Sequence, residues 1–305
     1  MPEVVLEHPE VVSELHREFV HAGSDVVPAF TYYAHREKMR DVGKEHLLEE
    51  LNRTAIGLAR SVATEMGALA AGDVCNTNVF AEDEASRDAA RAMFEEQVAW
   101  AAEGGVDFVI AETISYAAEA LAALAAIKEA GLPAVVTLAA HRNPATREGW
   151  TLGEAARRLE DAGADVVGLN CMRGPATMLP LLREIREAVS IPVAALPVPY
   201  RTHERQPTFQ SLREPGSEEM PFPTALEPFL CNRYQIAEFG RAAHEAGVGY
   251  LGLCCGGAPH HIRSLAEALG RRPPASRYSA DMSRHSFFGA DETLRDQNRA
   301  LAREL

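Results

Sequence analysis

The sequence predicts an α/β fold, a (β/α)8 TIM-type barrel lacking its first strand. Three observations point there. Ala-rich amphipathic stretches repeatedly end in a small residue with Gly or Pro and run into a short β-branched segment. Those segments are continuously apolar rather than alternating, the pattern of parallel strands buried on both faces. The rhythm fills most of a 305-residue chain in one run, which suits a single barrel of βα units better than two domains. A doubly wound open sheet shares the alternation, but no strand here leads into the G-x-G-x-x-G turn that would favour it.

In chain order, a helix comes first, with His8-Pro9 near its start and Ala22-Gly23 at its end. Strands follow in HAGSDVVPAF (21–30), ALAAGDVCNT (68–77, the weakest), EGGVDFVIAET (103–113), EAGLPAVVTLAA (129–140), DAGADVVGLNC (161–171), VSIPVAALPV (189–198) and EAGVGYLGLCC (245–255). Glycine after each helix supplies the left-handed cap that ends it. That makes seven strands where a closed barrel wants eight, and the chain opens on a helix where a barrel opens on a strand. An unclosed barrel leaves unpaired strand edges. Residues 1–270 are therefore expected to form the barrel and 271–305 a tail, packed as a subunit arm or loose. The Pro-rich stretch 197–228 follows the strand at 189–198, on the face where barrels keep their chemistry, and reads as a lid.

Forty-four acidic residues against 30 basic ones give a net charge of −14. With no dense Lys/Arg run, neither nucleic acid nor an anionic membrane is a partner. No stretch approaches the ~20 apolar residues that cross a bilayer. The start lacks the basic-then-apolar pattern of a secretory signal. Five cysteines, an odd number, speak against a disulfide framework and for the reducing cytoplasm.

Three of those cysteines end strands. Cys171 closes DVVGLNC, and Cys254 and Cys255 close GYLGLCC two units later. Parallel strands open on one face, so the thiols can converge, and three thiolates suit Zn2+ with a fourth position open. Adjacent strand residues point oppositely; Gly256-Gly257 gives the chain the freedom to turn both sulfurs to one ion. Plain packing is the alternative for any one buried thiol, and Cys75 and Cys231 read as structural. A thiol of pKa near 8.5 is only about 3% thiolate at pH 7. Such a metal would remove that limit for a substrate thiol. Activating water is the rival use, made less attractive by three anionic ligands. Glu112 ends its strand on the same face, as an anchor for an ammonium or as a rim charge. Tyr32 and Tyr33 line the rim as ring faces for a cationic donor or as packing. His260-His261 fit a helix start better than a metal site.

At these residues the sequence resembles the zinc-dependent homocysteine S-methyltransferase family, and its betaine-using branch most. The resemblance runs from the first residue to about Asp281, through HPEVVSELHREFVHAGSDVV, FTYYAHREKM, FVIAET, VVGLNC, PFPTALEP, YLGLCCGGAPHHIRSLAEAL and RRPPAS. It implies a (β/α)8 barrel with Zn2+ on Cys171, Cys254 and Cys255. It implies methyl transfer from betaine or a related onium donor to homocysteine, giving methionine. Glu112 would contact the homocysteine amino group, with Tyr32 and Tyr33 near the donor. Thr113 stands where the betaine-using branch has a tyrosine able to fill zinc's fourth position, which then falls to water or another group. The family's opening strand, with an Asp-Gly-Gly segment whose aspartate also holds homocysteine, has no counterpart here, and the family's C-terminal oligomer arm is shortened. The expected partners are small molecules, with a homo-oligomer among the states allowed. The alternatives are an impaired zinc- or thiol-binding member, or a methyltransferase for another thiol.

Overall fold

The computed structural model describes residues 3–217 and 219–305. All seven expected strands form: β1 (Val26–Pro28), β2 (Leu69–Cys75), β3 (Phe108–Ile114), β4 (Ala134–Leu138), β5 (Val166–Asn170), β6 (Val193–Leu196) and β7 (Val248–Leu251). They pair in sequence order and all in parallel. Among the described residues β1 and β7 are the two unpaired edges, as a barrel short of one strand requires.

The helices are α1 (Val4–Glu7), α2 (Pro9–His21), α3 (Arg36–Asp41), α4 (Leu48–Met66), α5 (Glu84–Glu103), α6 (Ala117–Glu129), α7 (Leu152–Asp161), α8 (Pro175–Ala188), α9 (Arg233–Glu245), α10 (Pro259–Ala268) and α11 (Asp296–Ala302). Their starts are written in the sequence. Asp83 and Thr151 accept bonds from the first-turn amides of α5 and α7, and Asn232 forms a reciprocal box with Gln235 at α9. Such caps satisfy donors that have no partner inside the helix. The helices bury Ile56, Phe94, Leu124, Leu159 and Leu182 against the outer face of the sheet.

Alternate strand residues point inward. Ala71, Phe108, Ile110, Val135 and Ala194 make an apolar plug inside the curl, with Val26, Val166, Leu196 and Tyr250 against it. The plug closes the lower barrel, so polar side chains farther along the strands mark the open end. Across the seam, α2 packs on α10. Arg271 joins the first and last units with two 2.7 Å bonds to Asp25 and one of 3.0 Å to the Gly23 carbonyl. The 197–228 stretch buries Phe209, Leu212 and Leu226 together with Cys171 and Val198, roofing one side of the cysteine ends. The tail carries short helical turns and α11, and leaves Tyr278, Phe288 and Leu305 exposed. No helix among the described residues is long and apolar enough to cross a membrane.

One core residue gives the fold a pH dependence. His16, on α2, is 8% exposed, its Nε2 has no partner among the described residues, and burial lowers its pKa to about 4. The unfolded chain takes that proton below about pH 6.5, so His16 contributes stability that is whole above that value and lost as pH falls toward 4. Between pH 7 and 5 the loss from this one group is about 2 kcal/mol. Urea midpoints at the two pH values should converge in the His16→Leu protein; an unchanged gap would remove His16 as the cause.

Candidate functional site

The ends of β5 and β7 bring three sulfurs together. Cys171 and Met172 follow β5 with φ of 57° and 55°, a left-handed turn that non-glycine residues rarely take. It swings the Cys171 thiol over the barrel mouth, where it is 5% exposed, while Cys255 remains exposed. The Sγ of Cys255 lies 3.8 Å from that of Cys171 and 3.9 Å from that of Cys254. All three atoms fall within 4.8 Å of one another. Zn–S bonds of about 2.3 Å at tetrahedral angles set sulfur–sulfur edges of about 3.8 Å, so the donor set fits zinc in element and in spacing. Hydrogen bonds from Cys171 and Cys254 pull the Cys255 thiol down to about 3, whereas bonding to Cys171 and Cys255 holds Cys254 well up. One sulfur of the three is thus poised as thiolate; Cys171 and Cys254 are held up as thiols and would give up their protons to a bound divalent cation.

Gly256 supplies the turn that lets neighbouring cysteines share a centre. Its φ is +88°, and a Cβ there would sit 2.5 Å from the Tyr200 hydroxyl, whose ring stacks on Phe209 at 5.9 Å. Gly256→Ala should therefore weaken zinc binding about tenfold, from backbone strain of roughly 1–2 kcal/mol. Competition with a chromophoric chelator measures it; undiminished affinity would show that the turn does not set the site.

Strand β3 adds the carboxylate. Glu112 stands level with Cys75 of β2 and accepts 2.8 Å from Asn170 Nδ2. Burial, with the Cys255 charge next, raises its pKa to about 7. The next residue, Thr113, is buried at φ 60°, where the pairing of β3 with β4 shifts register. A β-branched residue in that region is held there by its surroundings. The holder is Asn170. Its Oδ1 accepts from the Thr113 amide at 2.7 Å and the Thr137 hydroxyl at 3.0 Å, and its Nδ2 also donates to Thr113 Oγ1 at 2.7 Å. One fully buried amide thus ties β3 and β4 to the end of β5, with Cys254 Sγ 3.8 Å away.

Tyr32 and Tyr33 meet edge to face at 5.1 Å, with Tyr33 58% exposed. The Lys38 ammonium sits 3.8 Å from the Tyr32 ring centroid and donates to the Tyr32 carbonyl and Cys75 Sγ at 3.0 and 3.1 Å. His260 is exposed, and buried His261 accepts from the Ala258 amide at the start of α10. Neither joins the thiol cluster, so the helix-start reading holds. Cys75 and Cys231 are buried, free and outside the cluster.

The sequence reading passed over Asn170, Lys38 and Asp73. Asp73 lies on β2, 9% exposed, its Oδ1 without a partner among the described residues. Burial, then the Glu112 charge, pushes its carboxyl well up. An acid inside an apolar strand was the available signal, since buried carboxylates are rare unless paired.

A parallel barrel with three strand-end thiols at zinc spacing, beside inward carboxylates, defines a zinc-site barrel enzyme. Residues 2–269 match the family described as Homocysteine S-methyltransferase. The chain belongs to that family, whose zinc is its cofactor. It is 36% identical to betaine–homocysteine S-methyltransferase 1 of Rattus norvegicus, over 90% of this chain and 69% of that one. It is equally 36% identical to the S-methylmethionine–homocysteine S-methyltransferase BHMT2 of Pongo abelii, over 90% and 75%. Among solved structures, the metallated homocysteine methyltransferase MmuM of Escherichia coli aligns with a TM-score of 0.67 at 18% identity, covering 86% of each chain. That likeness bears on the fold.

Proposed function

We propose that this chain transfers a methyl group from betaine to the thiol of homocysteine, giving methionine, with zinc on Cys171, Cys254 and Cys255. The observation that carries the reading is the trio of sulfurs at tetrahedral-zinc spacing on the open end of the barrel. When bound, zinc supplies the positive charge that keeps a substrate sulfur as thiolate at neutral pH. Glu112 takes the substrate ammonium, and Asp73 adds a second carboxylate from one layer deeper. An ammonium there answers the unpartnered Asp73 oxygen, which is costly to bury alone. Thr113, held by Asn170, fixes the strand end that carries Glu112. Tyr32 and Tyr33 line the donor side. The Lys38 ammonium lies 3.8 Å from the Tyr32 ring centroid and 5.1 Å from that of Tyr33, and the exposed Tyr33 ring is the one an onium methyl donor can reach from solvent. In the transfer the sulfur lone pair forms the new S–C bond as the methyl–nitrogen bond breaks and its pair leaves on the donor nitrogen. The residues contribute in-line positioning. Five free thiols suit the reducing cytoplasm.

S-methylmethionine is the second donor reading, because the relative named for it matches this chain as well as the betaine one does. Zinc-loaded protein, homocysteine and each donor in turn, with methionine read by mass spectrometry, separate the two. Methionine from betaine supports the first reading, and methionine from S-methylmethionine alone replaces it. None from either donor at full zinc content would sink methyl transfer to homocysteine.

A further inference from the structure

Beside the thiol site, a cleft of about 840 Å³ opens between the loop after β4 and the long loop after β6. Arg142 and Arg147 lie on one wall and Arg205 and Arg213 on the other. No aspartate or glutamate lines the cleft, and none of the four arginines forms an ion pair among the described residues. Four uncompensated guanidinium groups around one hollow are unexpected in a chain of net charge −14.

A fifth lies beneath them. Arg173 is 6% exposed and donates to the carbonyls of Ala140, His141 and Arg142 at 3.1, 2.5 and 3.1 Å and to that of Thr177 at 3.5 Å, with no ion pair to a carboxylate among the described residues. Burial of that charge pins the β4 loop and adds positive potential under the cleft. Burial first, then Arg147 and Arg173, keep His141 neutral by lowering its pKa.

Both walls are built rather than loose. The Arg147 amide donates to the Ser115 carbonyl at 2.9 Å, and Glu148 turns away to cap α6 through the Ala117 and Ala118 amides. Opposite, the Arg213 amide donates to Gln206 Oε1 at 3.1 Å, and Gln210 Nε2 reaches Met172 Sδ at 3.0 Å. Bringing like charges together on two fixed walls is unfavourable until an anion neutralises them. Arginine's planar fork matches phosphate and carboxylate oxygens two at a time. The volume is that of a small-molecule site, and two arginines on each wall call for an occupant with anionic groups at both ends.

We propose that this cleft binds a small organic polyanion, its phosphate or carboxylate groups clasped by Arg142 and Arg147 from one side and Arg205 and Arg213 from the other. The occupant lies next to the methyl-transfer centre, separated from Cys171 by Met172 and Gln210. The site stands whether or not betaine is the donor.

The test is calorimetric titration of zinc-loaded protein with tripolyphosphate and, separately, with citrate, at about 50 mM and then about 150 mM salt. The comparison is a protein carrying Arg142→Ser and Arg205→Ser, one from each wall, both exposed and neither a member of the thiol cluster. One saturable site per chain is expected, weaker at higher salt and at least tenfold weaker in the double variant, whose zinc content stays at the wild-type value. Binding of tripolyphosphate alone assigns a phosphorylated ligand, of citrate alone a polycarboxylate, and of both a site that reads charge. No saturable heat from either probe, or an affinity the double variant leaves unchanged, overturns the proposal.

Discussion

Replacing Cys254 with alanine is expected to strip the protein of zinc and of methyl transfer together. Two sulfurs would remain, Cys171 and Cys255, still 3.8 Å apart. Losing a group that merely orients a ligand already costs about 10- to 100-fold in metal affinity, so losing the ligand itself should exceed 100-fold. Activity falls for a second reason. A homocysteine thiol left to itself is about 3% ionised at pH 7, so at least a 30-fold deficit in nucleophile follows before any loss of positioning. The fold should survive, because Cys254 is only partly buried at the mouth and its strand is held by β6 pairing. Zinc per chain by atomic emission, methionine formation and circular dichroism decide it. A folded Cys254→Ala protein with full zinc and full turnover would remove the cysteines from the mechanism.

What the sequence disclosed follows from what each contact depends on. The strands were legible because a parallel strand buried on both faces must be apolar throughout, and Val166–Asn170 or Ala134–Leu138 can hardly be read otherwise. The thiol site was legible because its members sit at strand ends, and parallel strands deliver their ends to one face. The weakest expected strand, 68–77, hid its most informative residue. Asp73 interrupts an apolar run, and only the curl of the sheet places it near Glu112 rather than at a rim. The arginine cleft was invisible for a related reason. Arg142 and Arg213 are 71 positions apart, and only the folding of two loops makes them face one hollow. The Lys38 ammonium against the Tyr32 and Tyr33 rings is another product of loop packing.

Asn170→Ala is expected to do the most damage of any change that touches no metal ligand. The side chain is fully buried and serves three neighbours at once, the Thr113 amide, the Thr137 hydroxyl and the Glu112 carboxylate. Alanine leaves two donors unmet in the interior, at about 1–3 kcal/mol each, so a stability loss of about 3 kcal/mol should appear in urea unfolding. Stability alone would be the signature of a structural residue. The functional claim is that Asn170 positions Glu112, because it also holds Thr113 at φ 60°, a conformation the residue would otherwise leave. Freed of that bond, the end of β3 relaxes toward extended geometry and Glu112 turns from the place proposed for the substrate ammonium. The Michaelis constant for homocysteine should then rise about 100-fold, in line with the loss of a charge-assisted bond of roughly 3 kcal/mol. Zinc affinity should change far less, since the three sulfurs keep their strands. Assays at 10 °C, where the weakened fold remains populated, separate the effects. A normal Michaelis constant in a destabilised Asn170→Ala protein would make Asn170 a strut and leave Glu112 to be oriented by its own strand.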